Sequence, residues 1–208
     1  MSIISGLTKR LVYYVNPDQE HAITKQINMR EFCKRHDIVL TLVERTELTD
    51  QLGYLSHIAE ELDIELQSDN FTRDQPLPEY DLLLICGFEA DERNELLKQL
   101  QEEEVARGAL KAIATETNIH WTLEHILSDV AEEHIVIQAY MDLRETVRVG
   151  EIVTETTGLP PQARQAFDQR MDLAQKMLSS RQIPNEPDLM RQLARELKIL
   201  ITMGEEQD

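Results

Sequence analysis

LLLICGFEADERNELLKQLQEEEVARGALKAIAT, residues 82–115, decides the fold. Its first five residues, Leu82 to Cys86, are uninterruptedly apolar and end at the turn Gly87-Phe88. A short apolar run without alternation is the mark of a strand covered on both faces. Glu89 to Val105 then carries Leu96, Leu97 and Leu100 at helical spacing, and Leu110 to Thr115 resumes a strand pattern. Two strands joined by a helix need a crossover connection, which favours parallel pairing.

The same cadence extends outward. Leu11 to Val15 is a strand closed by Asn16-Pro17, and Asp18 to His36 is a helix with Ala22, Ile23, Ile27, Met29, Phe32 and Cys33 at helical spacing. Ile38 to Val43 is the next strand. Thr49 can cap a helix whose Leu52, Leu55, Ile58, Ala59, Leu62 and Leu66 form the clearest apolar stripe in the chain. Residues 67–80, with Asp69-Asn70, Pro76 and Pro78, show turn residues and no period, and read as a connector. On the other side, Leu123, Ile126, Leu127 and Val130 mark a helix after the turn Glu116-Thr117-Asn118, running on toward Val149.

At a constant offset of 71, Leu11 falls on Leu82, Asn16-Pro17 on Gly87-Phe88, Leu42 on Ile113, Leu52 on Leu123 and Leu55 on Ile126. Either an old duplication or the ordinary rhythm of βα units produces this. The expected fold is α/β: a mainly parallel four-stranded sheet flanked by helices, built from two βαβα halves at about 11–66 and 82–134. A ferredoxin-like sheet is the runner-up. Beyond Gly150, the turn Gly158-Leu159-Pro160-Pro161 precedes a helix with Ala163, Ala166, Phe167, Ala174, Met177 and Leu178 inward. A break at Pro184 to Pro187 separates it from Leu189, Leu193, Leu197, Leu200 and Ile201, which gives a C-terminal helical hairpin. The expected domains are therefore 1–150 and 151–208.

Composition narrows the function. The 208 residues are 41% apolar and 29% charged, with a formal net charge of −18, and every third of the chain is acidic. Nucleic acid is disfavoured as a ligand, because Lys and Arg on phosphates supply most nonspecific affinity. Met1 to Arg10 hold no apolar stretch long enough for a signal peptide, and nothing in the sequence is long and apolar enough for a membrane. Cys33 and Cys86 lack metal-type spacing and read as buried thiols of a reduced cytoplasmic protein.

Familiar catalytic carriers are missing. The sequence has no G-x-x-x-x-G-K or G-x-G-x-x-G loop, no G-x-S-x-G elbow, no H-E-x-x-H and no cysteine pair at zinc spacing. Asp69 to Asp74 lacks the glycine and terminal Glu of a calcium loop and reads as a solvated turn. His120, Glu124, His125 and His134 crowd one region without a placed third ligand, and Glu102-Glu103-Glu104 reads as a solvated helix end. No cofactor and no metal is expected.

More informative is KAIATETNIHWT, residues 111–122. In a parallel sheet, Thr115, Thr117 and Asn118 emerge at the carboxyl end of a strand beside Gly87, the edge where open α/β sheets bind ligands. The candidate ligand-binding residues are Gly87, Lys111, Thr115, Asn118, His120 and Trp121, with no catalytic residue assigned. A purely structural account is that Thr117 or Asn118 caps the next helix while Trp121 packs beneath it.

The stretch from Leu82 to His134 resembles a small bacterial domain of unknown function, the family numbered 3783. The marks are Cys86-Gly87-Phe88 ending a strand, Lys111-Ala112, Thr115, Asn118, Trp121-Thr122 and the acidic helix end Glu132-Glu133-His134. The resemblance covers about residues 81–135 and implies a grouping without an activity. The sequence thus predicts an acidic cytoplasmic binding or regulatory protein, with a protein partner or a homodimer engaged through the C-terminal helices. The alternative is a small enzyme or metabolite sensor using the sheet edge near Thr115 and Asn118.

Overall fold

The computed structural model describes residues 4, 6–156, 159 and 161–205. Strands β1 (Arg10–Tyr14), β2 (Val39–Val43), β3 (Leu82–Cys86) and β4 (Leu110–Ile113) form one sheet in the order β2-β1-β3-β4. β1 is parallel to β2 and β3 to β4, while β1 and β3 meet antiparallel with Val12 opposite Leu84. The expected mainly parallel, helix-flanked sheet is present, with one antiparallel seam where its halves join. Neighbouring strands within each βαβ half exclude the ferredoxin-like plan, which splits them.

Alternation along the central strands sorts two cores. Val12, Tyr14, Leu82, Leu84 and Cys86 face one side, and Leu11, Tyr13, Leu83 and Ile85 face the other. The second side is covered by helices α1 (Ala22–Arg35), through Met29, Phe32 and Cys33, and α4 (Ala90–Glu102), through Leu96 and Leu100. A capping box starts α4: Glu92 accepts from the Glu89 N–H at 3.1 Å while the Glu89 carboxylate accepts from the Glu92 N–H. The first side is covered by α2 (Leu52–Leu55), α3 (Ile58–Leu62) and the start of α5 (Leu123–Thr156).

α2 and α3 correct the sequence reading. The stripe from Leu52 to Leu66 is buried or half-buried as its spacing required, yet the backbone is two short helices and not one. His57 and Asp63 adopt left-handed φ values of 56° and 53°. The Ser56 carbonyl accepts from the Arg10 guanidinium, and the Ser56 hydroxyl donates back to the Leu52 carbonyl at 2.6 Å. Periodicity reported which side chains are buried, not whether the helix stays whole.

The two halves of the sheet repeat each other. β1 and β2 pair at an offset of 29 residues and β3 and β4 at 28, and the antiparallel seam exchanges one half for the other. On the face covered by α2, the Leu52 N–H donates to the Trp121 carbonyl at 3.0 Å and the Leu123 N–H to the Asp50 carbonyl at 3.1 Å. These bonds interchange when each residue is moved by the offset of 71. The repeat is thus a pseudo-twofold of the structure as well as a rhythm of the sequence.

The chain falls into two compact units, Met1–Ala131 and Glu132–Asp208. Their division lies inside α5, whereas the sequence placed a boundary at Gly150. That glycine is helical, and a Cβ on it would come within 3.1 Å of the Phe167 ring. In the second unit α6 (Pro161–Leu178) and α7 (Pro187–Glu205) form the expected hairpin and share a core of Leu143, Val147, Phe167, Ala174, Leu193 and Leu197 with α5. Gly158 and Pro160 of the preceding turn lie outside the described residues. Among the described residues no helix is long and apolar enough to cross a membrane.

Candidate functional site

The carboxyl end of β4 is built around Asn118. Its side-chain oxygen accepts from the Thr115 N–H at 2.7 Å and its amide donates to the Ile113 carbonyl at 2.9 Å. Its own N–H donates to the Thr115 hydroxyl at 3.1 Å. These bonds close the turn and leave Ile119 as a buried plug beneath it. The expected helix cap is present but moved: Thr122, not Thr117 or Asn118, accepts from the His125 N–H at 3.4 Å to cap α5.

The six sequence-chosen residues do not converge on one point. Gly87, with φ 79°, lies so close to the chain that a Cβ would sit 2.5 Å from the Thr8 carbonyl oxygen. Gly87 and Thr115 share a cavity of about 100 Å³ with Phe88, Arg93 and Ile113. Lys111 lies at the other end of β4, where its ammonium donates to the carbonyls of Ala106 at 3.3 Å and Ala109 at 3.2 Å. Burial lowers its pKa there, and it lines a separate concavity of about 570 Å³ beside Glu104 and Arg107. His120 accepts the Gln67 N–H on Nδ1 at 3.1 Å. Trp121 packs against the core and stacks on His125, with ring centroids 4.1 Å apart.

A cluster that the sequence reading passed over joins the connector to α5. Asp69, read as part of a solvated turn, has a side chain only 6% exposed. It accepts from the Thr122 N–H at 2.7 Å, the Thr122 hydroxyl at 3.1 Å and the Phe71 N–H at 3.0 Å. His125 Nδ1 stands 3.1 and 3.2 Å from its two oxygens, and Phe71 stacks on the imidazole face opposite Trp121, at 4.3 Å. Arg73 adds an ion pair to Glu124 at 3.2 Å. Burial raises the Asp69 pKa, but hydrogen bonds from the Thr122 N–H, the Phe71 N–H, His125 and the Thr122 hydroxyl outweigh it and hold the carboxyl below its ordinary value. A carboxylate behind Nδ1 can orient a general base. The rings of Phe71 and Trp121 cover the two imidazole faces, and together with the Asp69 bonds they clasp the connector to the start of α5. Among the described residues no group of three or more His, Cys, Asp or Glu could hold a metal ion.

Two signals could have exposed the clasp: Phe71 is the lone aromatic amid polar residues 67–75, and Trp121 lies four residues before His125. Neither names the partner 50 positions away.

Residues 81–137 match the family model of a domain of unknown function (DUF3783). The match spans the second βαβ half and the first turns of α5. No curated protein and no solved structure matches the chain.

Proposed function

We propose that the chain is a cytoplasmic binding or regulatory module that engages other proteins and not a catalyst. The observation that carries this reading is the state of Asn118 and Thr115. The groups the sequence offered to a ligand at the sheet edge are engaged with their own loop, three hydrogen bonds deep. Both thiols are buried, and burial pushes Cys33 up to about 12 and, against a smaller pull from Arg10, Cys86 up to about 12. They stay protonated at neutral pH and suit a reducing compartment. On the helical unit, Leu173 is 43% exposed and Ile199 57% exposed, so a protein partner engaged through the C-terminal helices belongs to this reading. Light scattering that shows a homodimer would replace that partner with a second copy.

The alternative, a small-ligand sensor, draws on the cavity of about 100 Å³, where Arg93 makes no ion pair among the described residues. The two readings separate under one experiment. Asn118→Ala should lower stability by about 1–3 kcal/mol through unsatisfied turn groups, and a thermal-shift panel of nucleotides and metabolites should leave the wild type unmoved. A saturable rise in melting temperature that Asn118→Ala removes would overturn the binding-module reading in favour of the sensor.

A further inference from the structure

The two outer strands of the sheet are treated differently. In β4 the outward carbonyl of Ile113 and N–H of Thr115 are both taken by the Asn118 side-chain amide, which fills the place of a neighbouring strand. β2 has no such cover. The Val39 N–H donates inward to the Lys9 carbonyl at 3.1 Å, which in a parallel ladder turns the N–H and C=O of Leu40 and Leu42 outward. Among the described residues nothing hydrogen-bonds to them.

Beside this open edge lies a groove of about 520 Å³, walled by Ile38, Leu40 and Leu42 of the strand side and by Arg30, Cys33 and Lys34 of α1. Arg30 and Lys34 are exposed and form no ion pair among the described residues, in a chain whose net charge is −18. The neighbouring Arg35, by contrast, is engaged with Glu103. Ile23, 75% exposed, and Ile27, 50% exposed, continue the stripe of Arg30 and Lys34 along α1. On the other face of β2, Val39 is 46% exposed.

We infer that the β2 edge binds an acidic peptide segment in extended form, added to the sheet as a fifth strand. Main-chain bonds to Leu40 and Leu42 hold the segment, and carboxylates at alternate positions meet Arg30 and Lys34. The spacing agrees: four residues of helix rise about 6 Å and two residues of strand about 6.6 Å. Apolar side chains on the intervening positions then fall beside Val39. A second copy of this chain fits less well, because pairing two β2 strands about a twofold brings Arg30 and Lys34 against their own counterparts.

The inference rests on the binding-module reading and adds a surface separate from the C-terminal helices, and the two fail separately, since the metabolite panel does not address the β2 edge. The test is fluorescence anisotropy of the full chain with a labelled peptide alternating Asp and Val. Saturable binding is expected, weakened by salt and absent for a Lys-Val peptide. The surface double variant Arg30→Glu with Lys34→Glu should fold as the wild type by circular dichroism and bind at least about tenfold more weakly. Two peptides N-methylated on alternate amides separate strand addition from charge attraction: one should lose binding and the other keep it. No saturable binding, equal binding by both methylated peptides, or binding that survives the charge reversal would overturn the inference. So would a dimer of the free chain from which the peptide is excluded.

Discussion

Leu84→Asp is expected to leave the sheet unit unfolded at 25 °C. Leu84 is fully buried at the centre of β3, between Val12 of β1 and Ala112 of β4. Its side chain lies in the apolar core formed with Leu52, Leu123 and Leu127, and the Arg10 guanidinium, on the same face of the sheet, is already engaged by the Ser56 carbonyl and Glu61. A carboxylate there loses its hydration without gaining a partner, and protonating it leaves an unsatisfied acid in place of apolar contacts. The expected cost exceeds about 4–5 kcal/mol, a large part of the about 5–15 kcal/mol that stabilises a typical domain. Leu84→Ala, which only opens a cavity, should cost about 2–5 kcal/mol and remain folded. Trp121 emission and far-ultraviolet circular dichroism read both variants. A Leu84→Asp protein that melts within a few degrees of the wild type would remove β3 from the core.

The same strand shows why so much of the fold was legible. An apolar run from Leu82 to Cys86 has one physical explanation in a chain this charged, burial on both faces, and the helices at 22–35 and 90–102 cover one of those faces. What the sequence lacks is any local record of the antiparallel seam between β1 and β3, because either direction buries the same side chains. Ser56-His57 broke a stripe whose period was intact, since Arg10, 46 positions away, takes the Ser56 carbonyl. Gly150, where the sequence analysis closes the first domain, lies within α5 and lets Phe167 approach it. At the site, the polarity of Asn118 was visible, but a cap, a ligand group and a turn brace look alike in sequence. The geometry shows the brace, with acceptor and donor directed at Thr115 and Ile113 respectively. The clasp was the least legible feature: its bonds join positions 53 and 56 apart, across a connector with no period.

That clasp carries the second large effect. Asp69→Asn keeps the shape of the side chain and exchanges an acceptor for a donor, which then confronts the Phe71 N–H or the Thr122 N–H. The expected loss is about 2–4 kcal/mol at pH 7, the range for a buried charged acceptor whose donors are left unmatched. Urea unfolding followed by Trp121 emission is the direct measurement, since that ring is part of the stack. The pH dependence has a definite sign. The folded state holds the Asp69 carboxyl below its ordinary value, so its contribution is complete above the unfolded carboxyl pKa of about 4 and disappears as pH falls through the lower folded value. The stability gap between wild type and Asp69→Asn should shrink as pH falls below about 4, where the wild-type carboxyl becomes protonated. Arg73→Ala should leave that profile unchanged, because the Arg73–Glu124 pair is 36% and 21% exposed and contributes about 1 kcal/mol or less. A gap that stays level to acid pH would mean that the Asp69 charge does not hold the connector, and that the ring stack of Phe71, His125 and Trp121 holds it alone.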